Sequence, residues 1–220
     1  MSAEIAHLFM TGAHDAPQRV RGEDRADHFA PLVARARAGD SLAFERIMLA
    51  TEQRVVSVAW RLLGNREDAR DAAQEVYLRV FKYLDRFRAG EDFQGWLYRI
   101  TVNVCHDLAR KRRAGGGEQL DELDPEHERA AFENPRRGDA DAETVTLRAQ
   151  QLALVRRALA TLPEKERTAL VLRDLEGLST EETARALGSR PVTVRSQVST
   201  ARSKIKVYCD RLLSKGGAPR

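Results

Sequence analysis

A chain of 220 residues is long enough for two domains of roughly 100 residues, and 32% charged, 42% hydrophobic and 6% aromatic residues suit charged-surface helical bundles rather than aromatic-rich sandwiches or barrels. A net charge of +4 is too small to name a nucleic-acid partner by itself, and two cysteines far apart, Cys105 and Cys209, exclude the disulfide framework of a secreted fold. No export segment and no run of eighteen apolar residues is found, so the expectation is an all-α, cytoplasmic protein that is not inserted in a membrane.

Residues 1–28 mix Gly, Pro, His and charges with little apolar periodicity and read as a mobile leader without assigned function. From 29 to 114 the pattern is helical, with breaks at Gly39-Asp40, at Gly64-Asn65 and over Arg88 to Asp92, which implies about four helices. In the helix from Glu67 to Leu84, the stripe Ala69, Ala73, Val76, Val80 and Leu84 is core. The reverse face carries Asp71, Gln74, Glu75, Leu78, Arg79 and Lys82. Leu78 among these charges fits a lone exposed apolar residue and a small protein interface with a polar rim equally well.

In the helix from Gln94 to Arg113, Leu97, Ile100, Thr101, Val104 and Leu108 face inward. Arg99, Asn103, His106, Arg110 and Arg113 line the other side, with Trp96 at its margin. Cations that hold phosphates beside rings that stack on bases suit a separated DNA strand. Trp96, Tyr98 and Phe93 also qualify as core anchors, the reading favoured for Tyr98 and Phe93. His106 reads as a surface histidine, since no cluster at metal spacing accompanies it.

Gly115-Gly116-Gly117 ends the regularity, and residues 115–142 are rich in acids, which marks a solvated, self-repelling linker. Helical periodicity returns over 143–213, with Pro163 in the first turn of one helix and Gly177 just past its end, and 214–220 form a basic tail. Ser179-Thr-Glu-Glu182 is a capping-box pattern whose helix stops at Gly188, and Pro191 opens the next. Two helices joined by a tight glycine turn are the helix-turn-helix layout. On the second, Val194, Val198, Ala201, Ile205, Tyr208 and Leu212 make the core side. Arg195, Ser196, Ser199, Thr200 and Ser203 gather opposite, on a face fit for a major groove. From Arg190 onward the only acid is Asp210, so the surroundings are basic.

These segments together resemble the extracytoplasmic-function sigma factors, bacterial promoter-specificity subunits, over most of residues 29–213. The resemblance rests on Glu67-Asp-Ala-Arg-Asp-Ala-Ala-Gln-Glu-Val-Tyr-Leu-Arg-Val80, on Phe93-Gln-Gly-Trp-Leu-Tyr-Arg-Ile100 with Asn103, and on Leu162-Pro163. It rests further on Leu178-Ser-Thr-Glu-Glu-Thr-Ala-Arg-Ala-Leu-Gly188 and on Thr193-Val-Arg-Ser196 with Ala201-Arg202. It implies that 29–114 is sigma region 2 and 143–213 is sigma region 4, joined by an acidic segment that mimics RNA in the polymerase cleft. It implies polymerase-clamp contacts at Asp71, Gln74, Glu75 and Leu78, which turns the even reading of Leu78 toward interface.

The resemblance also implies minus-ten DNA contacts at Phe87, Phe93, Trp96, Arg99, Asn103, His106, Arg110 and Arg113, the loop from Phe87 to Phe93 holding a flipped base. Minus-thirty-five contacts follow at Arg190, Thr193, Arg195, Ser196, Ser199, Thr200 and Arg202. The implied partners are core RNA polymerase, through the clamp of its largest catalytic subunit and the flap of the second, promoter DNA and an anti-sigma factor. Arg70, Ser189, Val192, Ser199 and Thr200 depart from the family's usual residues, so no promoter sequence is carried over. The alternative is a helix-turn-helix regulator whose N-terminal domain dimerises or senses a ligand, which leaves the Trp96 to Arg113 helix without a role. An enzyme acting on nucleic acid is not expected, since the carboxylate, His or metal constellation for such chemistry is missing, and no cofactor is expected.

Overall fold

The computed structural model describes residues 23–88, 90–114 and 153–216, and all the regular structure among them is helical. Four helices come first: α1 (Glu23–Arg37), α2 (Ser41–Leu63), α3 (Arg66–Tyr83), continued by a 3-10 turn over Leu84–Arg86, and α4 (Phe93–Ala114). The second group comprises α5 (residues 153–160), α6 (Glu164–Leu170), extended by a π-helical turn over Val171–Leu175, α7 (Thr180–Leu187) and α8 (Pro191–Gly216). Residues 23–28, expected in the leader, belong to α1; the rest of the leader, nearly all of the acidic linker and the last residues of the tail lie outside the described residues.

The breaks expected from glycine and polar residues are where the helices change. Asp40 caps α2, accepting from the Ala43 amide at 3.1 Å, and Asn65 caps α3, accepting from the Asp68 amide at 2.9 Å. Between them Gly64 adopts φ +73°, a left-handed conformation open to glycine, and its amide donates to the Trp60 carbonyl at 2.8 Å. Pro163 is the N-cap residue of α6, one position ahead of its first turn.

The first core is formed by Ile47, Val55 and Val58 of α2, Ala69, Val76 and Val80 of α3, and Phe93, Leu97 and Val104 of α4, covered by Phe29 and Val33 of α1. All five residues of the α3 stripe from Ala69 to Leu84 are buried. The second core joins Leu159, Leu170, Val171 and Leu172 to Ala184 of α7 and Val194, Val198, Ala201 and Ile205 of α8. Burying aliphatic side chains of this size is worth about 1.5–3 kcal/mol each, the main favourable contribution to either group.

The two cores are continuous, and polar contacts close the seam between them. Arg167 of α6 donates to the Leu62 carbonyl at 2.9 Å, and Arg156 of α5 donates to the Gly64 carbonyl at 3.0 Å. Two guanidinium groups of the second unit thus occupy the negative, C-terminal end of α2, where the last carbonyls have no partner within the helix. Tyr98, Val102 and Cys105, at i, i+4 and i+7 on α4, are buried as well. They make a second stripe beside the inward-facing one, so α4 is covered on two sides.

Candidate functional site

Three surfaces carry the candidate residues. On α3, Asp71 and Gln74 are exposed, Glu75 is half-buried, and Leu78 is 66% exposed on the side away from the core. Arg79 links this face to α4, donating to Glu75 at 2.7 Å and to Asp107 at 3.1 Å. Phe81, which sequence reasoning missed, is 70% exposed, and its ring meets Phe44 of α2 edge-on at 5.3 Å. Its signal was the i+3 spacing from Leu78, which sets the two side chains on neighbouring turns of one face. An apolar pair of this size, rimmed by Asp71, Gln74 and Glu75, has the composition of a small protein interface.

The α4 surface is divided. Arg99, Asn103 and Arg110 are exposed, Arg110 pairing with Asp107 at 2.8 Å. His106 and Arg113 face the second unit: the His106 Nε2 lies 3.1 Å from the Thr168 hydroxyl, and Glu164 accepts from Arg113 at 2.8 Å with His106 Nδ1 at 3.6 Å. Burial holds the His106 imidazole below its ordinary value of 6.5, against the pull of Glu164 and Asp107 in the other direction. Phe87 and Phe93 are corrected: they are 5% and 1% exposed, packed on each other with centroids 5.6 Å apart, and cannot meet a base in this conformation. Large rings at the mouth of a loop gain more by closing the core than by standing in water, and here they form its floor. Trp96 is half-buried against both, at 5.3 and 5.8 Å.

At the start of α4, Asp92 accepts from the Gln94 amide at 3.0 Å, and its carboxylate lies over Gly95, where a Cβ would stand 2.8 Å from Oδ2. A larger residue at 95 would push this cap aside. Tyr98 is buried as expected, yet at the seam rather than in the first core: its hydroxyl donates to Glu176 at 2.9 Å.

The third surface is the helix-turn-helix. Ser179 accepts from the Glu182 amide at 3.1 Å while the Glu182 carboxylate accepts from the Ser179 amide at 2.6 Å, a complete capping box, and Gly188 ends α7 at φ +57°. This fixes the entry of α8, on which Thr193, Arg195, Ser196, Ser199 and Thr200 are exposed, as is Arg190 just before it. Arg195 is 3.6 Å from Glu181, with both side chains largely in solvent, a weak pair that leaves the guanidinium available.

Arg202 has a different role from the one expected. It forms a fork to Asp174 at 2.7 and 2.8 Å, and the Asp174 side chain is 2% exposed, so the pair fastens α8 to the π-helical turn. The hydrogen bond to Asp174 holds the Arg202 guanidinium above its ordinary range. A cleft of about 390 Å³ opens beside it, lined by Arg173, Thr180, Val194, Arg195, Val198, Ser199, Arg202, Ser203 and Lys206. Arg173 and Lys206 were not among the expected contacts: the packing of α8 on the turn brings Arg173 to the cleft, while Lys206 stands three turns on from Arg195 on the same side of α8. Arg173, Arg195 and Lys206, with three hydroxyls around one cleft, are chemistry for phosphate oxygens.

Among the described residues there is no group of His, Cys, Asp and Glu that could hold a metal ion, and no helix is long and apolar enough to cross a membrane.

Comparison with known proteins matches residues 47–115 to the family described as Sigma-70 region 2 and residues 152–205 to Sigma-70, region 4. The ECF RNA polymerase sigma factor SigE of Mycolicibacterium smegmatis is 37% identical over 155 residues, 70% of this chain and 57% of that longer protein. The RNA polymerase sigma-H factor of Pseudomonas aeruginosa is 33% identical over 188 residues, 83% of this chain and 94% of that one. Among solved structures, CnrH in complex with the cytosolic domain of CnrY has the same fold, with a TM-score of 0.62 at 24% identity, covering 83% of this chain and 97% of that one.

Proposed function

The chain belongs to the extracytoplasmic-function sigma factors, which bind core RNA polymerase and direct transcription initiation at promoters, and on that premise we propose how its surfaces divide the work. The α3 face of Asp71, Gln74, Glu75 and Leu78, extended by Phe81, docks on the polymerase clamp. The exposed residues of α8 enter the minus-thirty-five major groove, where the Arg195 guanidinium donates to the O6 and N7 of a guanine. Arg173 and Lys206 hold the flanking phosphates. Arg99, Asn103 and Arg110 of α4, with Trp96 at their edge, hold the separated strand at the minus-ten element, and the loop between Phe87 and Phe93 receives an unpaired base. The division into region 2 over 29–114 and region 4 over 143–213 belongs to the same proposal.

The chain forms and breaks no covalent bond; the polymerase active site does the chemistry, and the chain acts in the cytoplasm where that enzyme works. An anti-sigma factor is the remaining partner, and the α3 apolar pair is the surface it would compete for. The observation that carries the reading is Leu78 with Phe81, two large apolar side chains in solvent on the outer face of the helix that carries the clamp-like motif.

The test is gel filtration with core polymerase, followed by promoter binding of the Arg195→Ala variant in that complex. The chain should co-elute with core polymerase. The variant should co-elute equally while losing roughly 1–3 kcal/mol of minus-thirty-five discrimination. A chain that elutes apart from core polymerase contradicts the proposal.

A further inference from the structure

The face of α8 turned away from its core carries one apolar residue that the proposed division of work leaves unused. Val192 stands in the first turn and is 63% exposed, whereas Val194, two positions on, is fully buried. At about 100° per residue, Val192 lies nearly opposite the core residues Val194, Val198, Ala201 and Ile205. It shares its side of the helix with Arg195, Ser196, Ser199 and Ser203, which are all exposed and all polar. A single valine on a surface needs no explanation by itself. Val192, however, is the apolar member of a face whose other members meet a major groove, and it was not among the expected contacts.

Its direction is set before any partner arrives. The Ser189 amide donates to the Ala184 carbonyl at 2.9 Å and the Val194 amide to the Arg190 carbonyl at 3.1 Å, which fixes the turn and the start of α8. Pro191 presets the backbone one residue earlier. A β-branched side chain in a helix has one strongly preferred χ1 position, so Val192 presents two methyl groups in a fixed place and loses little freedom when covered. The N-terminal residues of the second helix in a helix-turn-helix are the ones that reach base edges. Along the axis, Val192 is three residues from Arg195, about 4.5 Å at a rise of about 1.5 Å per residue, which is within two base-pair steps of about 3.4 Å.

An apolar group has little to recognise in a major groove. The edges there present hydrogen-bond donors and acceptors, which a valine would desolvate without serving, and one apolar group, the C5 methyl of thymine. We propose that Val192 is a specificity-determining residue of the helix-turn-helix, its methyl groups covering the C5 methyl of a thymine within two base pairs of the guanine held by Arg195. The assignment rests on the reading of α8 as the minus-thirty-five helix.

The experiment uses the full chain bound to core polymerase. Duplexes randomised over the upstream promoter element are selected for binding, and the shared site is remade with deoxyuridine at one thymine at a time, which removes the methyl and keeps every hydrogen-bonding group. Competition binding compares wild type with Val192→Ala, a substitution that favours the helix, folding being followed by circular dichroism. At one thymine, deoxyuridine should lower wild-type affinity roughly fourfold, the effect of about one buried methyl, and leave the affinity of Val192→Ala unchanged. In a parallel series 7-deazaguanine, which lacks the N7 acceptor, replaces each guanine of the site; at one of them it should weaken wild type and not Arg195→Ala.

A selected site with no thymine within two base pairs of that guanine overturns the proposal. Deoxyuridine that weakens wild type and Val192→Ala equally overturns it too. Wild type indifferent to 7-deazaguanine throughout contradicts groove reading by Arg195, and the role of Val192 with it. The expected 7-deazaguanine effect without any deoxyuridine effect overturns Val192 alone and keeps the reading of α8.

Discussion

Leu78 was visible in the sequence as a residue out of place, but helical spacing alone gave no reason to prefer an interface over an idle surface leucine. Its 66% exposure beside the Phe81 and Phe44 ring pair supplies the missing context, because one aliphatic and two aromatic side chains form a patch rather than a point. Leu78→Asp is expected to change folding stability by no more than about 0.5 kcal/mol, as for other surface substitutions. It should sharply reduce co-elution with core polymerase, since a carboxylate placed in the interface is desolvated without a partner. Melting temperature and co-elution on one preparation check both. Phe87 and Phe93 show the opposite limit: an aromatic residue beside a loop is equally at home on a base or in a core, and only the three-dimensional cluster with Trp96 decides between them. Arg202 was legible as a cation but not as a partner of Asp174, 28 positions earlier.

At the scale of elements, caps and breakers were legible because their physics is local. Asp40, Gly64, Asn65, Ser179 and Gly188 act within one turn of their own position, and each is where the sequence puts a boundary. The Ser179 box has a measurable consequence: Ser179→Ala should lower the stability of the helix-turn-helix unit by about 1 kcal/mol, seen as a lower denaturation midpoint, with Ser179→Gly costing less. The second stripe on α4, Tyr98, Val102 and Cys105, was not legible in the same way. Its burial depends on a unit that begins some forty residues later in the chain, and periodicity within α4 carries no information about that neighbour. The π-helical turn over Val171–Leu175 was not legible either, and its Asp174 finds its partner 28 positions away, at Arg202.

For the whole molecule, the sequence indicated two helical units and their order, while their mutual packing emerges only in three dimensions. That packing makes the molecule sensitive to acid. His106 sits at the seam facing Glu164, Asp107, Arg110 and Arg113, and burial depresses its pKa from 6.5. An unfolded chain therefore takes up a proton at higher pH than the folded one. The stability of the fold should fall as pH drops from 6.5 to the depressed value and level off below it, in a thermal melt series that His106→Gln flattens. The central claim is promoter-directed initiation, and mapping transcript 5′ ends tests it most directly. Purified chain, core polymerase and supercoiled genomic fragments should yield discrete start sites sharing a two-part upstream motif, absent with core polymerase alone and lost with Leu78→Asp. Transcripts whose number and start sites are the same with and without the chain would contradict the account.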